Sequence, residues 1–182
     1  MRMKRTVVMI WLFLATAGGL HSQLYMAKNA LVSFHSHTWL EDVDAVNKNA
    51  YAVIDMGKKN IAFSMMLKEF SFKKKLMQEH FNENYVESDK YPKSTFSGSY
   101  TGNVDAKKDG SYPITVKGKI TLHGVTKEIQ VPATITVKNG IMTGASTFKL
   151  NPKDFNISIP FIVRDKIEKE NTVKIKVDWK TN

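Results

Sequence analysis

Tyr112-Pro113-Ile114-Thr115-Val116-Lys117-Gly118-Lys119-Ile120-Thr121-Leu122, resumed after His123-Gly124 as Val125 through Ile129-Gln130-Val131-Pro132-Ala133-Thr134-Ile135-Thr136-Val137, decides the fold class. Tyr112, Ile114, Val116, Ile120 and Leu122 fall on one face, against Thr115, Lys117, Lys119 and Thr121 on the other. Beyond the break, Ile129, Val131, Ala133, Ile135 and Val137 oppose Glu128, Gln130, Thr134, Thr136 and Lys138. Side chains alternate across a strand, so each segment is a strand with one dry and one wet side. Long two-faced antiparallel strands must stack on a second sheet or curl round and close.

The same alternation extends outward. Strands are expected at Leu31–His37, Tyr51–Asp55 and Asn60–Lys68, the last with Ile61, Phe63, Met65 and Leu67 on one face. Phe96, Gly98, Tyr100, Gly102 and Val104 mark another, and Asn139-Gly140 between Val137 and Ile141 is a two-residue hairpin signal. A strand follows to about Leu150, and the chain ends on Val173, Ile175, Val177 and Trp179 alternating with lysines and Asp178. These are about eight strands, a number that closes with room for side chains or one small ligand. Gly98, Gly102, Gly118 and Gly144 interrupt good strand patterns, as bends and close backbone approaches in a barrel require. From Phe72 to Val86 the period changes: Leu76/Met77, Phe81 and Tyr85 recur at helical spacing, predicting one short inserted helix. It serves as a plug at one end of the barrel or as a lid over an entrance.

The first 23 residues read as a cleaved leader. Arg2, Lys4 and Arg5 precede the apolar run Val7–Leu14, and Ala15-Thr16-Ala17 or a site near Ser22-Gln23 offers the cut. The run is shorter than the about 20 residues that span a bilayer. Residues 24–182 then form a single domain large enough for its own core. The chain has no cysteine, so an exported product has neither disulfides nor a lipoprotein anchor, and the expected address is the periplasm or the medium, as a soluble protein.

Charge narrows the partners. The formal net charge is +10; removing Arg2, Lys4 and Arg5 from 27 cations leaves 24 against 17 acids, a net +7 for residues 24–182. Lys117, Lys119, Lys138, Lys174 and Lys176 sit on wet strand positions, where they guard sheet edges or favour transient contact with an anionic membrane surface. No nucleic-acid recognition motif is present, so no nucleic-acid partner is expected.

Three segments carry a family resemblance: Lys90-Tyr91-Pro92 with Thr95-Phe96; Gly118-Lys119-Ile120-Thr121-Leu122-His123-Gly124-Val125-Thr126-Lys127; and Asp154-Phe155-Asn156-Ile157. In order and spacing they resemble the YceI-like family of exported proteins, from about Leu31 to the C-terminus. The resemblance implies a lipocalin-like antiparallel β-barrel, an isoprenoid-type or other long-chain lipid as the apolar partner, and a homodimer. The chain departs from the family near its start, where Ser33-Phe34-His35-Ser36-His37-Thr38 leads into Trp39-Leu40-Glu41-Asp42-Val43, which marks a divergent branch.

Lipid binding needs an apolar lining with few polar groups. Alternation nominates Phe63, Met65, Phe96, Tyr100, Ile114, Val116, Ile120, Ile129, Val131 and Phe148, with Phe81 from the helix. The ordinary alternative is a filled core made of the same residues. Met65, Met66 and Met77 suit a flexible ligand. The rival reading is metal: His35 and His37, two apart on a strand, share a face and with His80, His123, Glu41 or Asp42 complete a zinc or copper site. A third is an envelope interaction domain. No catalytic motif appears, so neither catalysis nor a cofactor is expected, and Asp154 and the pairs Glu41/Asp42 and Glu87/Asp89 are turn and capping residues.

Overall fold

A computed structural model describes residues 24–37, 42–158 and 170–180. The leader, Trp39, Leu40 and Glu41 lie outside the described residues. The strands are β1 (Leu24–Ser36), β2 (Val43–Asp55), β3 (Asn60–Met66), β4 (Ser71–Phe72), β5 (Lys93–Thr101), β6 (Gly110–Leu122), β7 (Val125–Lys138), β8 (Ile141–Leu150) and β9 (Asn171–Lys180). All pairings are antiparallel in the order β1-β9-β8-β7-β6-β5-β3-β2, and β1 pairs back onto β2. Eight strands therefore close into a barrel, and the two-residue β4 adds to the start of β2 outside that ring. The sequence reading of a closed all-β barrel with one short helix is the fold observed.

Local chemistry explains the register. His123 and Gly124 both have positive φ, 51° and 74°, as do Asn139 and Gly140, 50° and 74°. These are the two-residue turns whose twist matches right-handed strands, and they fix the β6–β7 and β7–β8 pairings at Leu122↔Val125 and Lys138↔Ile141. Gly98 and Gly118 face each other across β5 and β6 so closely that a Cβ on Gly98 would lie 2.2 Å from the Lys117 carbonyl oxygen.

Two strands are longer than alternation indicates. β1 begins at Leu24 and β2 at Val43, and both extra segments hide their period. Register shifts between Ala27 and Val32 displace the β1 alternation, and the outward positions Leu24 and Met26 are apolar. In β2 the buried side is Ala45, Asn47, Ala50 and Ala52, small or polar residues that pattern reading passes over. Asn47 is satisfied there: its amide donates to the Met66 carbonyl at 2.9 Å and its Oδ1 accepts from the Asn49 amide at 2.9 Å.

The helix expected over 72–86 is shorter and composite. Phe72 belongs to β4, α1 covers Lys75–His80, and a π-helical turn continues through Phe81–Tyr85. The topology gives the barrel two unlike ends. One carries the turns at 56–59, 102–109 and 139–140. The other carries 67–92, the His123-Gly124 turn and the 3-10 turn Pro152–Phe155.

Candidate ligand cavity

Inward-facing residues fill one end and leave space at the other. Ile54, Ile135, Met142 and Trp179 are at most 1% exposed and seal the first end. The Trp179 indole donates to the Ala52 carbonyl at 3.4 Å and lies over Gly144, where a Cβ would meet Cζ3 at 2.7 Å. Above that floor is a partly enclosed cavity of about 390 Å³. Its walls include Val116 and Val131, paired directly across β6 and β7, and Ile120, Ile129, Val173 and Ile175. Among the described residues no lysine, arginine, aspartate or glutamate lines it. Its volume and apolar lining are those of a small-molecule pocket.

The helical segment lines the far end with aromatic rings. Phe34 from β1, Phe70, Phe72 from β4 and Phe81 from the π-helical turn cluster with centroids 5.0–5.9 Å apart, Phe34 and Phe81 stacked at 28°. All four line the cavity with Met77 and Tyr85, and the exposed His80 contributes to the wall at the surface. Burial pushes the Tyr85 phenol up, which keeps it neutral there. This end is the mouth.

Of the eleven nominated residues, Phe63, Met65, Phe81, Phe96, Ile114, Val116, Ile120, Ile129, Val131 and Phe148 lie in the cavity wall. Tyr100 is not in that wall. It is buried beyond the space, and its hydroxyl donates to Met56 Sδ at 3.4 Å. Strand alternation gives the face of a residue but not its height along the barrel, and Tyr100 sits one residue from the sealed end of β5. The wall also contains residues that alternation on long strands does not reveal, notably Phe34, Phe70 and Phe72. Their spacing shows no single period because Phe34 is on β1, Phe70 follows the 3-10 turn Leu67–Glu69, and Phe72 is on the two-residue β4.

The histidines are not gathered. His35 Nδ1 meets Asp44 Oδ1 at 2.8 Å, and Lys73 binds the other Asp44 oxygen at 3.3 Å. His37, past the end of β1, meets Asp42 at 2.6 Å. Among the described residues no group of three or more His, Cys, Asp or Glu could hold a metal ion.

His123 has a different role. It is buried, its Nδ1 lies 3.0 Å from the Phe155 carbonyl oxygen, and its Nε2 lies 2.7 Å from Glu87 Oε2. A carbonyl oxygen only accepts, so Nδ1 is the donor there, and Nε2 faces the carboxyl. The Tyr91 ring packs edge-on at 4.4 Å, and a Cβ on Gly124 would meet that ring at 2.7 Å. The three sequence segments Lys90-Tyr91-Pro92, His123-Gly124 and Asp154-Phe155 thus converge on one imidazole, which ties the loops of the mouth together.

The profile described as the YceI-like domain matches residues 22–179. No curated protein matches the chain. Among solved structures, a polyisoprenoid binding domain from Saccharophagus degradans, implicated in plant cell wall breakdown, superposes with a TM-score of 0.73 at 11% identity, covering 88% of this chain and 99% of that one. BcnA of Burkholderia cenocepacia gives 0.69 at 18% identity, covering 82% and 95%. A Campylobacter jejuni YCEI protein gives 0.62 at 18%, covering 80% and 89%. At these identities the likeness is one of fold.

Proposed function

Because the chain belongs to the YceI-like domain family, we propose that its cavity holds the hydrocarbon part of an isoprenoid-type or other long-chain lipid. The observation that carries this reading is the cavity of about 390 Å³ enclosed by a closed barrel without a charged residue in its described wall. An apolar chain leaving water gains about 0.8 kcal/mol per methylene, so a few isoprene units hold without a specific hydrogen bond. The Saccharophagus domain of the same fold is described as polyisoprenoid-binding, which supports this ligand class. The basic and then apolar pattern of the first 23 residues, which reads as a cleaved leader, supports export to the periplasm or medium. There the barrel would sequester or ferry its ligand and catalyse nothing.

Mass spectrometry of organic extracts from the purified protein tests this. A long-chain apolar species at near-stoichiometric amount is expected, and it should vanish in Val131→Trp, which fills the cavity while keeping the core apolar. An extract that is empty, together with no uptake of added polyprenyl alcohol, overturns the proposal.

A further inference from the structure

The outer wall of the barrel is not uniform. Near the sealed end, β1 and β2 turn apolar side chains to solvent: Leu24 is 53% exposed, Met26 69% and Tyr51 55%. Met26 stands directly opposite Val53, which in turn pairs with Ala62 on β3, so these residues form one continuous outward patch. Cations surround it. Lys28 follows Met26 on β1, Lys48 precedes Tyr51 on β2, Lys58 lies in the β2–β3 turn, and Lys176 faces solvent on β9 opposite Leu31; all four are exposed. Two carboxylates lie among them, each hydrogen-bonded to a neutral group. Asp55 is buried and accepts from the Lys58 amide at 2.9 Å, and Asp178 accepts from the Thr143 hydroxyl at 2.6 Å. The mouth end is unlike this, because its lysines are interspersed with carboxylates: Lys68 with Asp89, Lys73 with Asp44, Lys75 with Glu79.

We infer that the Leu24–Met26–Tyr51 face is where the barrel rests on an anionic lipid bilayer. Protruding flexible apolar side chains, an amphipathic tyrosine and a ring of lysines are the chemistry of an interfacial anchor. A second copy of the chain fits poorly. A two-fold interface would bring two copies of the same rim, with Lys28, Lys48, Lys58 and Lys176 outnumbering Asp55 and Asp178 among the described residues, against each other, which like-charge repulsion opposes. In the bilayer-bound orientation the mouth, at the opposite end of the barrel, stays clear of the patch. The inference does not depend on what the cavity holds.

Co-sedimentation of residues 24–182, which contain all nine strands, with vesicles of phosphatidylethanolamine and phosphatidylglycerol provides the test, with phosphatidylcholine vesicles for comparison. Binding to the anionic vesicles at low ionic strength is expected, with loss at high salt. K28E/K48E should weaken it by at least about tenfold, and M26S/Y51S should weaken it at unchanged charge. K117E/K119E, the same charge change on the opposite wall, should leave it within about twofold, and all the sites are exposed, so circular dichroism should report an intact fold. The inference is overturned if K117E/K119E weakens binding as much as K28E/K48E, if M26S/Y51S binds undiminished, or if phosphatidylcholine serves as well. It is equally overturned if light scattering shows a dimer that M26S/Y51S dissolves.

Discussion

The two ends of this barrel are built from the same eight strands, yet one is solid and the other hollow. At the sealed end the inward positions carry Trp179, Met142, Ile54 and Tyr100, and Gly144 leaves the space the indole occupies. At the mouth the walls combine aliphatic residues with Phe63, Phe96 and Phe148, and the rings of Phe34, Phe70, Phe72 and Phe81 gather against the helical segment. The difference teaches that a cavity is specified by where the large side chains sit along the axis, not by how apolar the inward face is. Stability should therefore reside at the sealed end and ligand exchange at the mouth.

The strongest challenge to that division is Trp179→Ala. Removing a fully buried indole from the floor should cost about 3–5 kcal/mol of unfolding free energy, read from the denaturant midpoint. A loss below about 1 kcal/mol would mean that the floor is not the mechanical core. His123→Ala removes the hydrogen-bonded link between Glu87 and Phe155 and should cost about 1–3 kcal/mol. Its signature is regional: amide exchange should rise at 86–92 and 152–157 while β8 and β9 keep their protection. Uniform loss of protection would show that the clamp serves the whole barrel.

Phe81→Ala probes the mouth itself. The ring is half-buried, and losing its aromatic neighbours should cost about 1–2 kcal/mol. Exchange of a fluorescent polyprenyl probe should become several-fold faster, whereas Met142→Ala, at the sealed end, should leave exchange rates unchanged. The smallest effect concerns pH. The hydrogen bond from His35 holds the Asp44 carboxyl below its ordinary 3.8, helped by Lys73 and opposed by slight desolvation. A carboxyl depressed in the folded state adds stability above about pH 4, lost as the pH falls through the folded value. The pair is exposed, so Asp44→Asn should change the acid stability by less than about 0.5 kcal/mol.

The barrel was legible because β6 and β7 alternate cleanly and are joined by turns of fixed residue type. Nine of the eleven nominated lining positions lie in the cavity wall for the same reason, since period two assigns faces, and Phe81 joins them from the helical segment. Tyr100 shows the limit of that reasoning: its face is inward, but the height that takes it out of the cavity depends on strand stagger. Leu24, Met26 and the alanines of β2 were missed because bulges shift the phase and small residues carry no apolar signal. The convergence on His123 joins residues 36 apart (Glu87) and 32 apart (Phe155), which no local pattern encodes.

Methyl NMR of the isotopically labelled protein, titrated with a polyprenyl alcohol, separates the two ends in one experiment. Shifts should concentrate at Ile120, Ile129, Val131, Val173 and Ile175, with Ile54 and Val137 unmoved. Saturating ligand that perturbs none of the first group, or that perturbs only outward-facing methyls, would contradict a hydrocarbon chain lodged in the mouth half of the barrel.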